Sequence, residues 1–170
     1  MSTAPAAPRR RRTAVLRRLA GGLGRSGART ASDPVDPLLG PQEQAAALLA
    51  VLDAAVAEQP AADRAIAACG EPGPAPAALA EELGRLAVRY GRYAGWLQAL
   101  PAGGELAGVR ELAVRLVAYH QWMLHQSANL AFAPRPAPRA EDARHGLSGL
   151  GAPADRLRAL RDSLTAGRPA

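Results

Sequence analysis

The sequence contains no lysine and a single cysteine, Cys69, among its 170 residues. One cysteine cannot form an intramolecular disulfide, and it leaves no thiolate cluster for a zinc site. Aromatic residues are also scarce, with three Tyr, two Trp and one Phe. All six lie between Tyr90 and Phe132, and we therefore place the structural centre of the chain in that stretch.

Long apolar segments are missing as well. The best candidate for a membrane span, residues 116–134, has no charged residue but carries two histidines and several amide and hydroxyl side chains. That polar content is too high for the hydrocarbon region of a bilayer. The chain also begins without the long apolar segment of a secretory signal. We expect no membrane span and a cytoplasmic location.

Positive charge is concentrated at the start of the chain. Residues 1–31 hold eight arginines and no acid, whereas residues 32–170 hold 13 arginines and all 15 acids. The net charge of +6 is therefore the sum of +8 in the first segment and −2 in the rest. We predict that residues 1–36 form a disordered, arginine-rich arm. The predicted anion-contacting residues are Arg9, Arg10, Arg11, Arg12, Arg17 and Arg18.

Three roles are open for this arm. Its arginines suit weak, sequence-independent contact with nucleic-acid phosphates. Residues 13–23 place Val15, Leu16, Leu19 and Leu23 on one helical face, which suits an anionic membrane surface. The third interpretation is a solvated extension without a partner.

Hydrophobic periodicity predicts helices over the remainder. The first covers about 41–59 and ends at Pro60, with a weaker continuation to Cys69. The next two cover 76–99 and 105–131, and the last covers 153–165. The 76–99 helix carries the clearest seam, with steps of three and four residues: Leu79, Leu83, Leu86, Tyr90, Tyr93 and Leu97.

The Pro-Ala-Gly-Gly bend at 101–104 predicts an antiparallel hairpin of the second and third helices. Closure near residue 102 would bring together three pairs: Tyr119 with Leu86, Trp122 with Leu83, and Trp96 with Val109.

These elements predict an all-α protein with a three- to four-helix antiparallel bundle behind the basic arm. The bundle is assigned to 37–133. Residues 134–152 are predicted to form a proline-rich linker that is not helical. The C-terminal amphipathic helix at 153–165 either docks as a fourth helix or binds a partner.

No motif supports catalysis, a cofactor or a metal. Gly22, Gly24 and Gly27 match the G-x-G-x-x-G pattern of dinucleotide-binding folds, but no buried strand precedes them. His120 and His125 are separated by about 140° around a helix, which is wrong for a shared ion. Glu141, Asp142 and His145 have ligand-like spacing, but they belong to the predicted linker. Cys69 has no nearby base that would activate it.

Two candidate sites remain, both on the third helix. Uncharged polar residues beside an aromatic anchor are typical of a protein interface, and here they are Trp122, His125, Gln126 and Asn129. A polar pocket inside the bundle would be lined by Tyr90, Tyr119, His120 and Gln121. For His120 itself, a buried histidine that makes a hydrogen bond is the favoured interpretation.

The sequence thus favours a non-enzymatic protein that acts by self-association or by binding a protein partner, with weak anion contact through the arm. Two alternatives stay open. One is a DNA-associated accessory protein that uses the arm, and the other is a small-ligand-binding bundle centred on His120.

Overall fold

A computed structural model describes residues 39–134 and 137–167 of the chain. These residues form helices and no strand, which confirms the all-α class. The predicted arm, including the six anion-contact arginines and the Gly22-Gly24-Gly27 motif, lies outside the described residues. The helices are α1 (Pro41–Gly70), α2 (Ala77–Ala99), α3 (Glu105–Ala131), α4 (Pro138–His145) and α5 (Ala152–Ala166).

Helix α1 continues through Pro60, where the sequence predicted its end. Proline removes one backbone hydrogen bond and costs about 3 kcal/mol inside a helix. Packing overrides that cost, because the half of α1 after Pro60 is embedded in the core: Ala62, Ile66 and Cys69 are all fully buried. Helix α1 is also long and apolar enough to cross a membrane, a property that it shares with the core helices of globular proteins.

Helices α2 and α3 form the predicted hairpin. The seam of α2 faces the core, and Leu83, Leu86, Tyr90 and Leu97 are essentially inaccessible to solvent. Helix α1 runs antiparallel to α2, since the Gly103 N–H reaches Gln44 at one end while the Tyr90 hydroxyl donates to the Ala55 carbonyl further along.

The register of the hairpin differs from the prediction by about five residues. The rings of Tyr90 and His120 lie 5.2 Å apart, and Arg110 Nη1 donates to the Leu100 carbonyl at 2.8 Å. The cause is the loop, because the chain leaves α2 in an extended conformation at Leu100. It therefore continues past the end of α2 before it reverses, and the first turns of α3 project beyond α2.

The predicted non-helical linker contains a helix. Pro138 occupies the first turn of α4, where a missing N–H carries no penalty. Glu141 in the first turn and Arg144 in the last suit the helix dipole. Arg144 is buried, and its Nη1 donates to the Cys69 and Gly73 carbonyls at the end of α1. Helix α4 is thus held by contacts that are remote in sequence.

Helix α5 docks on the bundle as its fourth long element, packed against α1 and α3. Its buried anchors are Ala154 and Leu157, preceded by Leu150 in the loop. The Leu150 N–H donates to Asp63 of α1 at 2.7 Å. Further along, Arg161 of α5 lies 3.7 Å from Asp53 of α1. These contacts make α5 antiparallel to α1 and complete an antiparallel four-helix bundle.

Candidate functional site

The outer face of α3 exposes one of the two tryptophans of the protein. Trp122 is 52% exposed, and its ring packs against Tyr119 with centroids 5.6 Å apart. His125 and Asn129 are also exposed, and Gln126 is half-buried. Residues 116–131 contain no Asp, Glu, Lys or Arg. The face around Trp122 therefore combines an aromatic anchor with uncharged polar groups.

Other exposed large hydrophobic side chains accompany Trp122. Leu112 near the start of α3 is 38% exposed, and Phe132 directly after its last residue is 37% exposed. Val88, 54% exposed, belongs to α2. Of these, Leu112, Trp122 and Phe132 are spaced ten residues apart and are offset around the axis of α3 by about 80° from one to the next. We call them with Tyr119, Gln126 and Asn129 the α3 outer face.

A second feature is a polar cluster in the interior, where α1, α3 and α5 meet. Gln59 is 1% exposed and His120 is fully buried. The Gln59 Nε2 lies 3.1 Å from His120 Nε2 and donates to the Ala154 carbonyl, also at 3.1 Å. The Gln59 Oε1 accepts a hydrogen bond of 2.7 Å from Arg158 Nη1. One glutamine side chain therefore joins three helices.

The partners in this cluster fix the tautomer of His120. Its Nδ1 is 2.6 Å from the Leu116 carbonyl, which can only accept, so Nδ1 carries the proton. Nε2 is then the acceptor for the Gln59 amide. Burial lowers the pKa of His120 below its ordinary value of 6.5, and the positive charge of Arg158 acts in the same direction. The Leu116 hydrogen bond and the charge of Asp63 oppose this shift. The imidazole is neutral at pH 7.

Of the four residues predicted to line a pocket, the structure brings Tyr90 and His120 into ring contact. Tyr119 is half-buried, with its ring centroid 6.5 Å from that of His120, and Gln121 lies over Gly91 of α2. Both ring nitrogens of His120 have protein partners. This agrees with the interpretation of a buried histidine that makes hydrogen bonds, and it leaves neither nitrogen for a ligand.

Two buried hydroxyls on α2 and α3 differ in their contacts. The Tyr90 hydroxyl donates to the Ala55 carbonyl at 3.0 Å, and burial raises the pKa of Tyr90. Ser127 is fully buried, and its Oγ is the buried side-chain polar atom without a hydrogen-bond partner in the described part of the chain.

An open cleft of about 310 Å³ lies where the ends of α1 and α3 meet α4. Leu130, Phe132 and Pro74 supply apolar walls, while Glu141 and Arg144 supply charge. The Arg144 guanidinium is already engaged by Glu141 and by the Cys69 and Gly73 carbonyls. The guanidinium therefore holds α4 against the end of α1 and is not presented to a ligand.

The remaining candidates from the sequence are Cys69 and the group of Glu141, Asp142 and His145. Burial raises the pKa of the Cys69 thiol, against the opposing charge of Arg144. Glu141 and His145 are brought together, 3.4 Å apart, by the helix that the sequence did not predict. Within residues 39–134 and 137–167, no group of three or more His, Cys, Asp or Glu side chains has an arrangement that could hold a metal ion.

Sequence reasoning missed Gln59 and Arg158. Gln59 lies between Glu58 and Pro60, where a polar residue carries no signal of burial, and its partners lie 61 to 99 positions away.

The fold and these two features define an all-α bundle with an exposed aromatic face and a buried polar cluster. No family model, no curated protein and no solved structure matches the chain.

Proposed function

We propose that this chain is a non-enzymatic binding protein that associates with a second copy of itself through the α3 outer face. The exposure of Trp122 carries this proposal. A half-exposed tryptophan, packed against Tyr119 in a stretch without charges, is costly to leave in water. Tryptophan is also among the residue types most enriched at the energetic centres of protein interfaces.

The spacing of the exposed hydrophobic residues favours a second copy as the occupant. Leu112 and Phe132 lie ten residues on either side of Trp122. An antiparallel α3 from a second copy, centred on Trp122, would place Leu112 of each copy opposite Phe132 of the other. Such an isologous arrangement is the commonest form of association between identical chains. Ten residues fall about 80° short of three helical turns, so the two helices would cross at an angle.

The distribution of charge is compatible with the same arrangement. Between Leu112 and Phe132, Arg115 is the one charged residue, and its side chain is exposed. In the antiparallel register, Arg115 of each copy faces the uncharged Asn129 of the other. Like charges are therefore not brought together across the interface.

Light scattering of the full chain at tens of micromolar tests the proposal. We expect a dimer that Trp122→Ala converts to a monomer. Val88→Ala is the matched control, because Val88 is equally exposed but lies on α2. A monomeric wild-type protein at this concentration, or a dimer that survives Trp122→Ala, would overturn self-association through this face.

Charge substitutions at Asn129 test the register. Asn129→Glu would place a carboxylate opposite Arg115 of the second copy and tighten the dimer, whereas Asn129→Arg would weaken it by like-charge repulsion. Equal effects of the two variants on the dimer dissociation constant would contradict the antiparallel register.

We further propose weak, non-specific anion binding by the first 31 residues. The supporting observation is the sequence charge of +8 in this segment against −2 in the rest. Each arginine that neutralises a phosphate lowers the slope of log affinity against log salt by about 0.9 on duplex DNA. Replacing Arg9, Arg10, Arg11 and Arg12 by Gln in the full chain should flatten that slope. Replacing Arg64 and Arg156, both exposed on the bundle, should not. Equal slopes in the two variants would refute the role of the segment.

A further inference from the structure

We propose that Gln59, His120 and Arg158 form an acid-sensitive latch that holds helix α5 against α1 and α3. This inference does not depend on the α3 outer face, because none of the three residues belongs to it.

The latch is specified by donors and acceptors that cannot exchange roles. Arg158 has only N–H donors, so the atom of Gln59 that faces it must be the oxygen. The Ala154 carbonyl can only accept, so the atom that faces it must be the amide nitrogen. The second amide hydrogen then points to His120 Nε2, which must offer a lone pair.

Protonation of His120 removes that lone pair. The imidazolium would present Nε2–H to the Gln59 amide hydrogen at a site without solvent, and two donors would face each other. Rotating the amide by 180° would satisfy His120 but would turn the amide nitrogen towards Arg158 and the oxygen towards the Ala154 carbonyl. The first arrangement leaves two opposed donors buried beneath α5, and the second breaks both hydrogen bonds from Gln59 to α5. The docking of α5 must therefore weaken when His120 gains a proton.

Charged and titratable groups from every neighbouring helix act on this site. From α1, Asp63 favours the imidazolium, while Arg158 from α5 disfavours it. Asp155, also on α5, pairs with Arg158 at the surface. Tyr90 from α2 and Tyr119 from α3 contribute neutral rings. Protonation of two carboxylates on α1 would also affect α5, because Asp63 accepts from the Leu150 N–H and Asp53 pairs with Arg161.

Helix α5 is suited to release because few apolar side chains hold it. Ala154 and Leu157 are its only fully buried side chains, and Leu160 and Leu164 pack against the core while partly exposed. Its polar contacts are the latch and the Arg161–Asp53 pair, and the loop before it is held by Asp63. A helix of 15 residues is marginal on its own in water. Its release would uncover the apolar groove between α1 and α3 beneath Leu157.

Hydrogen exchange of the full-length chain between pH 7.5 and pH 5 tests the latch. After correction for intrinsic rates, the opening constant of the α5 amides should rise below about pH 6.5, by at most about tenfold per pH unit for a single proton. The amides at the centre of α2 should show no such rise. A pH-independent α5, or an equal rise in α2, would overturn the latch.

The chain has three histidines, so the source of the response can be assigned. His120→Gln keeps a neutral acceptor and should abolish the pH dependence of α5 opening, whereas His125→Gln and His145→Gln should preserve it. Asp63→Asn, which keeps an acceptor for the Leu150 N–H, should also preserve it. A response that persists in His120→Gln, or that disappears in Asp63→Asn, would refute His120 as the trigger.

If His120→Gln does not fold, nitrogen-15 NMR of the wild-type imidazoles decides the question. The latch requires that one histidine be neutral at pH 7 with its proton on Nδ1, and that it titrate together with α5 opening. A buried histidine with its proton on Nε2, or one that titrates without any change in α5, would overturn the proposal.

Discussion

At the scale of single residues, Gln59 is a buried polar side chain whose amide contacts three partners. Its amide is buried between an arginine, a carbonyl and a histidine that belong to two other helices. The sequence identifies His120 as a buried histidine because it lies on a core stripe of α3. It cannot identify Gln59 as the partner, since a hydrogen bond between residues 61 positions apart leaves no periodic signal.

We predict that Gln59→Ala lowers the free energy of unfolding by about 2–4 kcal/mol, because three polar groups lose their partner and at least two of them are buried. Urea denaturation measures this loss. Gln98→Ala, at an exposed position of α2, is the control and should change stability by less than about 0.5 kcal/mol. A similar effect of the two substitutions would show that the buried cluster contributes little.

At the scale of helices, boundaries set by local chemistry were predictable and those set by packing were not. The start of α3 at Glu105 and its end at Ala131 follow from the Gly-Gly bend and from the prolines beyond. The passage of α1 through Pro60 and the formation of α4 depend on tertiary contacts. Burial of Ile66 and Cys69 stabilises α1 beyond Pro60, and the buried Arg144 stabilises α4.

Pro60→Ala should stabilise the protein by about 1–2 kcal/mol. Alanine removes the missing hydrogen bond and the ring clash of proline, which together cost about 3 kcal/mol, while the unfolded chain regains about 1 kcal/mol of conformational entropy. Thermal unfolding measures the difference. Pro41→Ala is the control, because Pro41 lies in the first turn, where no such bond is missing. A destabilised Pro60→Ala would mean that the proline sets a bend that the core requires.

The start of α5 depends on glycine. Gly151 precedes the helix with φ of 64° and ψ of −151°, a conformation that other residues avoid. We predict that Gly151→Ala costs about 1–3 kcal/mol of stability, seen as a lower urea midpoint. Gly108→Ala is the matched control, because Gly108 is an exposed residue inside α3 with open space around it. There alanine should be stabilising by about 0.5–1 kcal/mol. Equal effects at both positions would contradict a conformational role for Gly151.

At the scale of the whole molecule, the composition predicts the class and the periodicity predicts the arrangement of the long helices. The packing register was not predictable, because the extended exit at Leu100 shifts α3 along α2 by an amount that the loop length does not reveal. The exposure of Trp122 follows from its position opposite the core stripe of α3, but the predicted hairpin register, which paired Trp122 with the buried Leu83, did not agree with it. The polar cluster between α1, α3 and α5 was not predictable, because the sequence does not show that α5 docks on the other two helices.

The stability of the folded chain should therefore have a plateau bounded by buried titrating groups, namely His120 on the acidic side and Cys69, Tyr90 and Tyr93 on the alkaline side. Burial lowers the pKa of His120, so below about pH 6.5 the unfolded chain takes up a proton that the folded chain resists, and stability falls as the pH falls. Burial raises the pKa of the Cys69 thiol and of Tyr90, so above their ordinary values of 9.0 and 10.0 the unfolded chain loses protons first. Stability then falls as the pH rises.

Urea denaturation under reducing conditions from pH 5 to pH 11 measures both edges. Each group should contribute a slope of at most about 1.4 kcal/mol per pH unit. Cys69→Ala separates the alkaline contributions, because it should move the onset of the decline from about pH 9 to about pH 10 and leave the acidic edge unchanged. An unaltered onset would mean that the thiol ionises equally easily in the folded and unfolded chains, which its complete burial against the Arg144-capped end of α1 argues against.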